Sequence, residues 1–148
     1  MNFTGIDQIT HGVEDLKRCV RFCDDWGLKK ISADNRLAIF HTMDGSEVVL
    51  CLKDDPTLPP AIESGSTIRR VVWGLEDETN LAQVRRKIER LSSYTEHDGN
   101  PSCEDPNGLS VSFRTTKRQK ISVIGVPRYD EISRYSENLK KRKKIVYY

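Results

Sequence analysis

Residues 6–15 and 68–77 are one segment written twice. Ile6-Asp7-Gln8-Ile9-Thr10-His11-Gly12-Val13-Glu14-Asp15 aligns without gaps on Ile68-Arg69-Arg70-Val71-Val72-Trp73-Gly74-Leu75-Glu76-Asp77, with four of ten positions identical and two more conservative. A repeat within 148 residues constrains the fold more than any single motif, because each copy must supply the same supersecondary unit and the two must bury their apolar faces together. Each copy reads as a strand running into a helix. Leu16, Cys19, Val20, Cys23 and Trp26 make one apolar helical face with Gly27 as the stop, and Leu81, Val84, Ile88 and Leu91 repeat the pattern before Ser92-Ser93. Asp15 and Asp77 stand at the N-cap positions, where a carboxylate also suits the positive end of the helix dipole.

Strand-like segments come after each helix. In the first copy they are residues 28–32, 37–42 and 48–53, with Asp44-Gly45 as a hairpin signal; in the second they are 94–97, 102–105 and 109–115, with Asp98-Gly99 and Asn107-Gly108 as turns. The linker 54–67 carries Pro56, Pro59 and Pro60, which prevent a strand. Each half therefore reads β-α-β-β-β. The predicted fold is α+β: two tandem βαβββ modules, about 5–53 and 68–115, forming a curled mixed sheet around one cleft with the helices outside.

Charge separates this body from the carboxyl-terminal segment. Residues 1–116 carry 14 Lys and Arg against 19 Asp and Glu, whereas residues 117–148 carry 10 against 3. We read 1–116 as the folded domain and 117–148 as a basic tail or interdomain linker. Residues 121–126 form an apolar stretch suited to a further strand, Ile132, Tyr135 and Leu139 recur at helical spacing, and Lys140 to Lys144 is an unbroken basic run. That run and the neighbouring tyrosines would suit nucleic acid, but the acidic body does not, so no nucleic-acid partner is expected. With a mean hydropathy of −0.59 and no long apolar run, no membrane partner is expected either, and the start of the chain lacks a signal-peptide pattern. These features predict a cytoplasmic protein. Four scattered cysteines are neither a disulfide framework nor a zinc motif, and Cys19 and Cys23 read as small hydrophobes of a helix face. The three histidines have no metal-ligand spacing, and no phosphate loop, dinucleotide fingerprint or nucleophile elbow is present.

The segments IDQITHGVEDLKRCVRFCDDWGLKKI, IRRVVWGLEDETNLAQVRRKIERL and EDPNGLSVSF resemble the vicinal oxygen chelate superfamily, which includes glyoxalase I, bleomycin-resistance proteins and extradiol ring-cleavage dioxygenases. The strand, L-E-D-E-T-N-L and Arg-rich helix of the second half most resemble the amino-terminal domain of two-domain extradiol dioxygenases, which shares the paired fold but holds no iron. The resemblance implies metal ligands on the first and last strands of each half. Those positions here are Gln8, Arg70, Cys51 and Ser112. Gln8 is acceptable, since glyoxalase-I-like proteins have Gln there. Arg70 is not, because a guanidinium has no lone pair to give, and neither Ser112 nor an isolated Cys51 completes a set. We expect no metal and no catalytic residue in this chain; for a full-length relative the resemblance implies Fe(II), O2 and a catecholic substrate.

Strand alternation places Gln8, Thr10, Cys51, Arg70, Ser110 and Ser112 on one face as a ligand-binding cleft. Such a cleft would suit a small aromatic or anionic ligand held by Arg70, or else be vestigial, its polar groups satisfying one another. Three functions are compatible with these residues. The first is a non-catalytic amino-terminal domain of an extradiol-dioxygenase-like protein of aromatic-compound catabolism, the family's dioxygenase or lyase chemistry belonging to a further copy. The second is a free-standing, metal-free small-molecule binding protein of the bleomycin-resistance type. The third is a glyoxalase-like metalloenzyme. The expected partner is a covalently linked second domain or, for a free-standing chain, another copy in a homo-oligomer such as a dimer.

Overall fold

The computed structural model describes residues 1–121. The chain runs β1 (Phe3–Val13), α1 (Leu16–Trp26), β2 (Lys29–Ala33), β3 (Leu37–His41), β4 (Glu47–Leu52), β5 (Thr67–Leu75), α2 (Glu78–Ile88), β6 (Thr95–His97), β7 (Asn100–Glu104) and β8 (Ser110–Thr115). Both halves are βαβββ units, and the strands after each helix end within two residues of those read from the sequence. The expectations for the apolar stretch beyond Ile121, the helical pattern around Tyr135 and the run Lys140 to Lys144 lie outside the described residues.

The eight strands of the described residues form one sheet in the order β2-β3-β4-β1-β5-β8-β7-β6. Within each module the first and last strands pair in parallel, β1 with β4 and β5 with β8, and the modules join through the antiparallel pair β1 and β5. The sheet is curled and mixed, with its two helices on one face.

Capping sets where the helices start. The Asp15 carboxylate accepts from Arg18 N at 2.9 Å and the Asp77 carboxylate from Asn80 N at 2.8 Å. Asp77→Ala is expected to cost about 1 kcal/mol, measured as a fall in urea midpoint with an unchanged slope. At the end of α1, Gly27 adopts φ 91°, the left-handed conformation that a residue without Cβ takes at no steric cost.

Each helix covers its own core. Val13, Leu16, Cys23, Ala38, Phe40 and Leu50 cluster under α1, and Leu75, Leu81 and Val84 with Ile88 and Phe113 under α2. Cys23 lies in the first core with Cys19 packed beside it, both as free thiols. Two residues of the predicted apolar faces depart from it. Trp26 is 70% exposed, on the margin of the stripe at the last turn, where its ring stacks on Phe22 at 6.0 Å between centroids. Leu91 is also exposed, because α2 stops at Ile88 and the chain turns before that residue comes round to the core.

The join between the modules departs from simple alternation. The pairing of β1 with β5 slips between Ile6 and Gln8, leaving Asp7 as an extra residue on β1, and again between Thr10 and His11, leaving Arg69 as an extra residue on β5. Asp7 and Arg69 are the same position of the repeat. Alternation puts Asp7 on the helix side with Ile9 and His11; the bulge turns it inward instead, where it is fully buried. Each bulged residue holds the chain as it leaves the other module. Asp7 accepts from Arg114 Nε at 3.0 Å, on β8, and from Thr116 Oγ1 at 2.8 Å and Lys117 N at 3.0 Å just past it. Arg69 donates from Nη1 to the Lys53 carbonyl at 2.9 Å and from Nε to the Pro59 carbonyl at 2.8 Å, just past β4.

The glycine shared by the two copies makes room for these side chains. A Cβ at Gly74 would overlap the Asp7 carboxylate and the Thr4 hydroxyl, and one at Gly12 would come within 2.8 Å of Arg69 Nη1. The identity of Gly12 and Gly74 is thus a packing requirement of the joint between the modules.

Candidate functional site

Because Val13, Leu50, Leu75 and Phe113 point to the helices, the residues one step away on β1, β4, β5 and β8 point to the opposite, inner face. That face carries Gln8, Thr10, Arg70, Ser110 and Ser112, together with Cys51 on β4. All six predicted cleft residues therefore share one side of the sheet. They do not form one constellation. Thr10 pairs in register with Arg70, and Arg70 with Ser110, whereas Gln8 pairs with Glu47 and Cys51 with Gly12.

Most of these groups are satisfied by neighbours. Gln8 Nε2 donates to Glu47 Oε2 at 2.5 Å. Ser112 is buried and its hydroxyl shares a 2.7 Å hydrogen bond with Ser102. Burial, reinforced by the nearby Asp55, pushes the Cys51 thiol up, so it is not a ready thiolate. At the centre stands a residue that sequence reasoning missed. Arg114, on β8, places Nε 3.0 Å from Asp7 Oδ2 and Nη2 3.6 Å from Glu47 Oε1, with only 11% of its side chain exposed. His41 Nε2 lies 4.0 Å from the same Glu47 oxygen. A guanidinium between two carboxylates is compensated, and removing one partner leaves a buried charge. The missed signal was the opposite charge of Asp7 and Arg69 at one position of the repeat, which an unbroken alternation assigns to the wrong side.

Arg70 differs from Arg114. Its Nη1 donates to His97 Nε2 at 2.5 Å, and its Nε reaches Ser110 Oγ at 3.4 Å. No carboxylate of the described residues stands within ion-pair distance of it. Burial lowers the pKa of both partners, with the repulsion of Arg70 adding to the effect on His97 and Asp98 opposing it. A guanidinium can only donate, so Nε2 of a neutral His97 accepts, and its proton sits on Nδ1.

The chain past β8 crosses back over the first module. Arg118 donates to Asp44 through Nε at 2.7 Å and to the Thr4 carbonyl through Nη1 at 2.7 Å, and Gln119 N donates to the Asp44 carbonyl at 2.7 Å. Burial alone would push the Asp44 carboxyl up, but hydrogen bonds from Thr42, Ser46 and Arg118 outweigh it and hold the group well below the usual carboxylate range. A depressed folded pKa contributes stability above the ordinary value of about 4 and loses it as the pH falls below that. The Tm difference between wild type and Asp44→Asn is therefore expected to be full at pH 6 and to shrink below about pH 4, read by thermal melts across that range.

The donor set does not suit a metal. Gln8 is engaged with Glu47, Arg70 has no lone pair, Ser112 is engaged with Ser102, and Cys51 is buried and protonated. Among the described residues no three His, Cys, Asp or Glu side chains are grouped closely enough to hold an ion. These residues do not fit the metal site that the family resemblance implies.

No protein-family model and no curated protein matches the chain. Solved structures do match. One is the Mn(II)-bound glyoxalase of Novosphingobium aromaticivorans, 20% identical over 82% of this chain and 42% of that one, with a TM-score of 0.59. Another is an extradiol ring-cleaving dioxygenase of B. fuscum, 14% identical over 80% of this chain and 34% of that one, with a TM-score of 0.61. A methylmalonyl-CoA epimerase bound to methylmalonyl-CoA is 17% identical over 80% of this chain and all of its own, with a TM-score of 0.50. The chain shares the fold of these proteins. The chain spans 42% and 34% of the lengths of the first two.

Proposed function

We propose that this chain serves as a non-catalytic amino-terminal domain of an extradiol ring-cleavage dioxygenase-like protein acting in aromatic-compound catabolism in the cytoplasm. It would shape one wall of the substrate channel while a linked carboxyl-terminal copy of the fold does the chemistry. The observation that carries this reading is Arg114 between Asp7 and Glu47: a guanidinium occupies the inner face beside Gln8, where the resemblance implies a metal ligand, so the groups there face one another and not a substrate. No helix of the described residues is long and apolar enough to cross a membrane.

Two measurements test it. Sequencing the gene beyond the Tyr148 codon should show a continuing frame that encodes another paired module with a histidine on its first strand; a stop codon there contradicts the reading. The 148-residue chain, supplied with Fe(II) and catechol in air, should form no ring-fission product, and turnover abolished by Gln8→Ala would overturn it.

A second reading, a free-standing metal-free binding protein, probed by ligand-induced thermal stabilisation, is favoured by one observation only: Arg70 has no carboxylate partner among the described residues.

A further inference from the structure

The internal repeat supplies its own control for what should stand beside Arg70. In the first module Gln8 on β1 pairs in register with Glu47 on β4, and the two side chains bond at 2.5 Å. In the second module Arg70 on β5 pairs in the same parallel register with Ser110 on β8. The pseudo-symmetry that carries Gln8 onto Arg70 thus carries the Glu47 side chain onto Ser110. The amide has a carboxylate beside it; the guanidinium, which needs one more, has a short hydroxyl. Serine stops at the β-substituent, so the space filled by the rest of the Glu47 side chain in one module is not filled from Ser110 in the other.

The neighbouring groups do not supply the missing charge. His97 accepts from Nη1 and offers no negative charge. Asp98 lies 3.3 Å from His97 Nε2 with its side chain 84% exposed, and its charge favours the Arg70 guanidinium only from beyond ion-pair distance. Glu104, on the same face, pairs with Ser110 from β7 and so stands two strand spacings, roughly 9.6 Å, from Arg70 along the sheet. A half-buried guanidinium with no carboxylate in contact is costly, and its planar fork matches a carboxylate through two parallel hydrogen bonds.

We propose that Arg70, with Ser110 and Thr10 beside it on the inner face, is a binding site for the carboxylate of a small organic acid. The ligand's carboxylate takes the place that the Glu47 side chain holds in the first module. Arg70 provides the charge and the fork, Ser110 Oγ a third hydrogen bond, and the remainder of the ligand lies along the sheet. This site belongs to the second module alone and holds whether or not a catalytic copy is attached.

Sodium benzoate is the probe, with benzamide as its neutral isostere and sodium phosphate as an anion of different shape, each titrated calorimetrically into the full chain. Benzoate should bind saturably, and benzamide and phosphate should not. Arg70→Gln, which reproduces the first module's residue, should weaken benzoate about tenfold or more. Ser110→Glu, which writes the first module's carboxylate into the second, should abolish binding and raise Tm by pairing with Arg70 internally. Arg86→Gln, on the exposed side of α2, should change nothing. The Ser110→Glu arm keeps the test decisive if the Arg70 variant does not fold. Benzoate binding that survives Ser110→Glu, or equal binding of benzamide or phosphate, would overturn the assignment.

Discussion

Asp7→Ala is expected to cost about 3–5 kcal/mol, the penalty for stranding a buried charge, and to lower Tm by the order of 10 °C or more. Asp7 is fully buried and accepts from Arg114, Thr116 and the Lys117 amide. Its removal leaves the Arg114 guanidinium with Glu47 alone at 3.6 Å and frees the chain that crosses from β8 onto the first module. Urea and thermal unfolding measure the loss. The double variant Asp7→Ala, Arg114→Met should recover part of it, because the second change removes the stranded charge. A loss below about 1 kcal/mol, typical of an exposed pair, would show that the joint between the modules does not depend on this contact.

Gly74→Ala should cost about 3 kcal/mol, at the upper end for overpacking a filled interior, while Gly12→Ala should cost distinctly less. The asymmetry comes from the groups that each added methyl would meet. At Gly74 it meets the Asp7 carboxylate and the Thr4 hydroxyl, and Asp7 is pinned by three donors and cannot retreat. At Gly12 its nearest neighbour, Arg69 Nη1, stands at 2.8 Å, a looser approach than the overlap with Asp7 at Gly74, so a smaller shift relieves it. Comparative melts of the two variants decide this, and equal losses would mean that the two sides of the pseudo-twofold are equally rigid.

The doubled architecture was legible because its signals are local. The paired segment around Gly12 and Gly74, the caps Asp15 and Asp77, the stop at Gly27 and the Asp-Gly and Asn-Gly turns each act within a few residues, and each marks an element that forms. Which face a residue takes was legible wherever the strand runs without interruption, which is why Gln8, Thr10, Arg70, Ser110, Ser112 and Cys51 were placed on one side from alternation alone. It failed at Asp7. A bulge is a relation between two strands distant in sequence, and nothing local to Ile6-Asp7-Gln8 announces one.

The same limit hid Arg114 and Glu47. Their roles depend on β8 and β4 lying on either side of the β1 and β5 pair, so that one guanidinium meets carboxylates from two other strands. Glu47 stands one step before the apolar run of β4 and so fell outside the strand as read. The exposure of Trp26 and Leu91 is a matter of helix length: each lies at or beyond the end of its helix, where periodicity still assigns a face but the core has already stopped.

Anaerobic calorimetric titration of Fe(II) and Mn(II) into the full chain decides whether the inner face around Gln8 and Glu47 is closed by its own charges. No saturable binding is predicted, either for wild type or for Gln8→Ala and Glu47→Gln. Stoichiometric uptake by wild type that is lost in both variants would contradict that closure, because Gln8 and Glu47 would then be ligands and not partners of each other.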